Sequence, residues 1–145
     1  MKRQIFLLSL LIFTSSVLLA QKGIWNTLAK ISYKKQYDDL MGFEVDIPVF
    51  GEEVMALEGT EIEVEGYVIP VEGYDMQENF VFSAFPYAMC FFCGNAGPET
   101  VMEAYVKSEK IKYTSKPIKI KGILSLNAGD INSLMYILND VEVVN

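Results

Sequence analysis

Polar and apolar residues alternate along several stretches of the chain. Glu61-Ile62-Glu63-Val64-Glu65 reads as a half-buried strand, with Ile62 and Val64 on one face and glutamates on the other. Ile118-Lys119-Ile120-Lys121 repeats the pattern with lysines as the polar set. Phe43-Glu44-Val45-Asp46-Ile47 is a shorter version, following a turn at 38–42 and ended by Pro48 and Gly51. Residues 52–59 lead into the strand at Glu61, which runs on through Gly66-Tyr67-Val68-Ile69-Pro70-Val71. Gly66 marks a bulge or corner, and Pro70 belongs at an edge or strand end. After a polar connection at 72–79, the aromatic run 80–85 is the return strand.

Later elements carry weaker signals. Pro98-Glu99 is a legitimate helix start, yet Val101, Tyr105 and Val106 favour a strand across 100–107. Residues 108–116 form a charged connection, and 117–126 the lysine strand, with Gly122 at a second corner. Asn127-Ala128-Gly129-Asp130 is a turn, and 135–144 supply a last strand or hairpin. Near the start, Trp25, Leu28 and Ile31 fit one face of a short helix, while Ile31-Ser32-Tyr33 fits a strand equally well. Trp25 reads as a core anchor. Five or six locally connected strands with interior glycines and little helix predict a mainly β fold, a small OB-like β-barrel; an open sandwich is the alternative.

The first 20 residues change how the rest is read. Lys2 and Arg3 precede an apolar run from Ile5 to Ala20, followed by Gln21-Lys22-Gly23. That is the pattern of a secretory signal peptide cleaved after Ala20, leaving 21–145 as a single domain with no transmembrane segment. The chain is then exported, to the periplasm or outside the cell, where cysteines meet an oxidising environment. The net charge is −7 over 145 residues. An acidic surface repels a phosphate backbone, so no nucleic-acid partner is expected. Charge is also segregated. No Lys or Arg occurs between Gln36 and Val106, whereas six lysines fall between Lys107 and Lys121. Antiparallel pairing of the glutamate strand with the lysine strand accounts for both blocks, at roughly 0.2–1 kcal/mol per cross-strand pair.

Gly66-Tyr67-Val68-Ile69-Pro70-Val71-Glu72, a polar loop, Phe80-Val81-Phe82-Ser83, and then Cys90 in a proline-bearing loop follow one another in a recognisable order. In this order the chain resembles an uncharacterised family of small secreted bacterial β-rich proteins. The resemblance covers Glu61 to Lys107 and implies a β fold and export, with no established activity. Many relatives carry a cysteine-histidine pair and several prolines where this chain has Cys90-Phe91-Phe92-Cys93 and Pro98.

Cys90 and Cys93 are the only cysteines, in C-x-x-C spacing. Oxidised, they form a disulfide that shapes a tight loop and adds little stability. Reduced, they are soft metal donors. With no histidine in the chain, a Zn²⁺ site needs Cys90, Cys93 and carboxylates such as Glu99 or Glu103, or a second chain's pair. Cu(I) suits Cys90, Cys93 and a thioether from Met89 or Met102. Thiol–disulfide exchange is a third reading, weakened because no cation lies in sequence near the pair to stabilise a thiolate. Tyr87, Phe91 and Phe92 are the candidate docking surface for an envelope protein. No G-x-S-x-G elbow, phosphate loop or histidine base is present, so binding is favoured over turnover. The expectation is a small exported binding module, handling a metal through the C-x-x-C loop, with a thiol redox module or an interaction module carrying a structural disulfide as alternatives.

Overall fold

A computed structural model describes residues 23–39, 41–70 and 76–144; the expected signal peptide lies outside them. The elements in order are helix α1 (Ile24–Leu28), strands β1 (Ile31–Asp38) and β2 (Phe43–Phe50), helix α2 (Glu52–Met55), and strands β3 (Glu61–Ile69), β4 (Met76–Gln77), β5 (Asn79–Ser83), β6 (Val101–Val106), β7 (Ile111–Lys112), β8 (Ile118–Leu126) and β9 (Tyr136–Val143).

Five strands close into a barrel in the order β3-β5-β6-β9-β8. All neighbours are antiparallel except β6 and β9, which run parallel. Along the chain this is first, second, third, fifth, fourth, so the barrel is OB-like, as its sequence pattern predicts. The corner at Gly66 has a clear cause. Residues Glu61 to Gly66 pair with β8, while Tyr67 to Ile69 pair with β5, so β3 changes partner at the glycine. A Cβ there would collide with the Ser83 carbonyl oxygen and lie 2.9 Å from the Phe82 ring. Gly122 sits at a register shift between β8 and β9.

The glutamate and lysine rows lie side by side. Glu63 faces Lys121 and Glu65 faces Lys119 in register. Lys119 Nζ leans diagonally to Glu63 at 3.2 Å, while Lys121 Nζ stands 3.5 Å from Glu142, its in-register partner on β9, and 3.9 Å from Glu61 on the diagonal. The charge segregation seen in the sequence is thus absorbed by strand pairing.

Inside the barrel, Phe82, Met102, Ile120, Leu124, Tyr136 and Leu138 are fully buried. Helix α1 adds Leu28 to this core, and Trp25 stacks on Phe82 with ring centroids 6.5 Å apart. Trp25 Nε1 donates to the Glu65 carbonyl at 2.8 Å, and the buried Tyr136 hydroxyl donates to the Leu28 carbonyl. Both uncertain readings near the start are therefore realised: a helix through Trp25, then a strand from Ile31.

Three expectations need correction. Strand β2 does not stop at Pro48; it continues to Phe50, with Pro48 opposite Tyr33. Proline is tolerated because, among the described residues, β2 pairs with β1 alone. The lead-in at 52–59 contains α2, which buries Val54. The charged connection at 108–116 contains β7, which pairs with β4 and buries Ile111.

Strands β1 and β2 make a separate ribbon. Ile31 and Phe50, which face each other at its base, pack against the core. Farther out, Tyr33, Tyr37, Phe43 and Val49 are exposed.

Candidate functional site in the cysteine loop

Strand β5 ends at Ser83, whose buried hydroxyl accepts a hydrogen bond from the Phe85 amide at 3.1 Å and turns the chain outward. Pro86 then starts a 3₁₀ turn at Tyr87–Met89, closed by the Met89 amide on the Pro86 carbonyl at 2.8 Å. A second 3₁₀ turn, Phe91–Cys93, follows directly, with the Cys93 amide donating to the Cys90 carbonyl at 3.0 Å. Gly94 ends it in the left-handed region at φ 75°. Asn95 staples the two turns: its Nδ2 donates to the carbonyls of Ala88 at 3.3 Å and Cys93 at 3.4 Å. A third turn, Pro98–Thr100, delivers the chain into β6. The helix start anticipated at Pro98 is this single turn, and the strand reading from Val101 is the observed one.

Cys90 is the extended residue joining the first two turns, and it is buried; Cys93 is exposed. Both are free thiols, so the disulfide, one reading of the pair, is not formed in this structure. The back-to-back turns set the two side chains apart in burial. They point Cys90 inward, while Cys93 Sγ donates to the Tyr87 carbonyl at 3.1 Å. Loss of water around its sulfur, then a hydrogen bond with the Cys90 thiol and the mutual repulsion of the pair, push the Cys93 thiol above its ordinary value. That is the opposite of the activated thiolate of an exchange enzyme.

The other candidate ligands separate. Met89, immediately before Cys90, is exposed. Met102 is buried in the barrel, paired with Phe82. The Glu99 carboxylate folds over Gly97, where a side chain would collide with it, and its charge is felt at Tyr33 and Tyr136. Glu103 receives hydrogen bonds from the Leu134 amide and the Tyr105 hydroxyl. Among the described residues no three cysteine or carboxylate groups stand together as a metal cluster.

The apolar part of the loop divides in two. Tyr87, Met89 and Phe92 are 57%, 55% and 56% exposed. Phe91 is half-buried, edge-on to Phe92 at a centroid distance of 5.3 Å. It lines a groove of about 500 Å³ together with Tyr33 and Asp46 of the ribbon and Asp130, Ile131 and Leu134 of the β8–β9 loop. Of these, only Phe91 stood out in the sequence. The others come together through the ribbon's placement beside the barrel, which no local pattern encodes.

No family model, curated protein or solved structure matches the chain. Among the described residues no helix is long and apolar enough to cross a membrane.

Proposed function

We propose that the chain is an exported binding module that takes up a soft metal ion, Cu(I), through the thiols of Cys90 and Cys93. The observation that carries this is the pair itself: two unbonded thiols near enough to influence each other's charge, on a loop fixed by successive turns. Structural Zn²⁺ requires four ligands, and neither a third cysteine nor a carboxylate joins the pair. Cu(I) is satisfied by fewer, softer donors. The exposed Met89 thioether beside Cys90 is the donor available to complete such a site, whereas Met102 is committed to the core. A raised Cys93 thiol argues against exchange chemistry. Export rests on the basic start and apolar run of residues 1–20, with the periplasm or extracellular space as the site of action.

The test is a thiol count on protein purified without reductant, before and after Cu(I) or Zn²⁺ is supplied with a competing chelator. Cu(I) should protect both thiols from alkylation and Zn²⁺ should not. Cys93→Ser should abolish the protection, and Met89→Leu should weaken it. Uptake should release protons, since the bound form is the thiolate. Thiols that stay reactive under Cu(I) reject the reading. A disulfide as purified, with a potential near that of the oxidising compartment, would move the assignment to thiol exchange.

A further inference from the structure

The groove beside Phe91 has features that the thiol chemistry leaves unused. Its apolar lining includes Tyr33, Phe91, Ile131 and Leu134. Two acidic residues belong to that lining from different elements, Asp46 from β2 and Asp130 from the β8–β9 loop, and among the described residues no lysine or arginine lines it. Neither carboxylate takes part in any ion pair among the described residues. Lys35 faces Asp46 across the ribbon in register, yet the two make no ion pair. Asp130 is a fixed anion: the Asn132 amide and side chain donate to its Oδ1 at 2.9 and 3.0 Å, and these bonds hold its carboxyl below the usual range. The field in the groove also reaches Tyr33, whose hydroxyl is pushed up by burial and then by the charges of Glu99 and Asp46. Phe92, exposed next to Phe91, extends the apolar surface beyond the groove.

We propose that this groove docks an extended segment of a partner protein in which an arginine or lysine is flanked by apolar residues. The apolar neighbours of that cation would lie against Ile131, Leu134 and Phe91. The cation would sit between Asp46 and Asp130, with the ring faces of Tyr33 and Phe91 within reach for cation–π contact. A volume of about 500 Å³ suits a few side chains. An open groove with exposed aromatic surface beside it suits a peptide better than an enclosed small molecule. Charge complementarity selects the occupant, in a chain whose own net charge is −7.

The test is fluorescence anisotropy with a short labelled peptide alternating leucine with arginine, and the same peptide with citrulline, a neutral isostere, for arginine. The arginine peptide should bind saturably and the citrulline peptide about tenfold more weakly, a difference of about 1.4 kcal/mol. Asp46→Asn with Asp130→Asn keeps one acceptor oxygen at each position while removing both charges, and should bring the arginine peptide down to the citrulline level. Circular dichroism and a thermal melt would establish that this variant still folds. Equal binding of the two peptides, undiminished binding by the double variant, or no saturable binding of either overturns the proposal. Sedimentation as a dimer that excludes the peptide also overturns it, in favour of a second copy in the groove. Cu(I) protection of the thiols in the same variants reports the metal reading separately.

Discussion

Phe43-Glu44-Val45-Asp46-Ile47 and Glu61-Ile62-Glu63-Val64-Glu65 carry the same alternation, and both become strands. Their fates differ. Val64 is 1% exposed, whereas Phe43 is 55% exposed. Strand β3 is one stave of a closed barrel, so its apolar face is covered by four other strands and by α1. Among the described residues strand β2 pairs with β1 alone, and core packing reaches the ribbon at its base, through Ile31 and Phe50. A period of two specifies strand geometry; burial needs a second layer. Where that layer is missing, the same pattern yields a surface with apolar side chains on offer, and the ribbon forms one wall of the groove.

The sharpest way to break this comparison is to truncate one aromatic in each region. Phe82→Ala should cost about 3–5 kcal/mol, because the ring is fully buried between Trp25 and Phe80. Phe43→Ala should change stability by about 0.5 kcal/mol or less. Urea unfolding of both variants measures the difference, and a Phe43→Ala loss comparable to that of Phe82→Ala would mean that the ribbon is covered after all. A smaller effect is expected at the barrel corner. Gly66→Ala forces a methyl against the Ser83 carbonyl and the Phe82 ring, and should cost about 1–3 kcal/mol by overpacking. A neutral result in the same assay would show that the corner has room.

The smallest effect belongs to the charge rows and their neighbours. Lys121→Glu sets a like charge beside Glu61, Glu63 and Glu142, and should lower the melting temperature by less than Gly66→Ala, with the loss shrinking as salt rises. Acid should act in the same direction. Hydrogen bonds from Lys110 and Lys107 hold the Glu78 and Glu142 carboxyls below their ordinary value. Their contribution is present above the unfolded carboxylate range and disappears as pH falls through the lower folded values. A melting temperature that rises on acidification through that range would refute this sign.

The barrel was legible because its signals are local. The alternation at Glu61 and Ile118, the opposed charge blocks, and Gly66 and Gly122 inside strands each declare themselves within a few residues. The parallel pairing of β6 with β9 did not, because it joins distant segments with no shared motif. The short helix α2 and the β4–β7 pair were hidden inside stretches that read as connections. In the candidate site, the cysteine loop was visible from composition, and Tyr87, Phe91 and Phe92 were singled out with it. The burial of Cys90 against the exposure of Cys93, and the direction of Glu99 toward Tyr33 and Tyr136 rather than toward a thiol cluster, depend on consecutive turns that spacing alone does not specify.

The parallel contact also sets an order of events for a chain that emerges from one end. Strand β9 is the stave between β6 and β8, and its last paired residue is Val143. Until that segment is available, β6 and β8 each have an unpaired edge and the hydrophobic interior stays open on one side. Closure therefore waits for β9, the last of the five staves in sequence, while the β3–β8 seam joins the residues farthest apart along the chain, the kind of pairing that is slow to form. A chain built this way can assemble four staves and still hold an open seam, with its apolar interior unsealed, until β9 arrives.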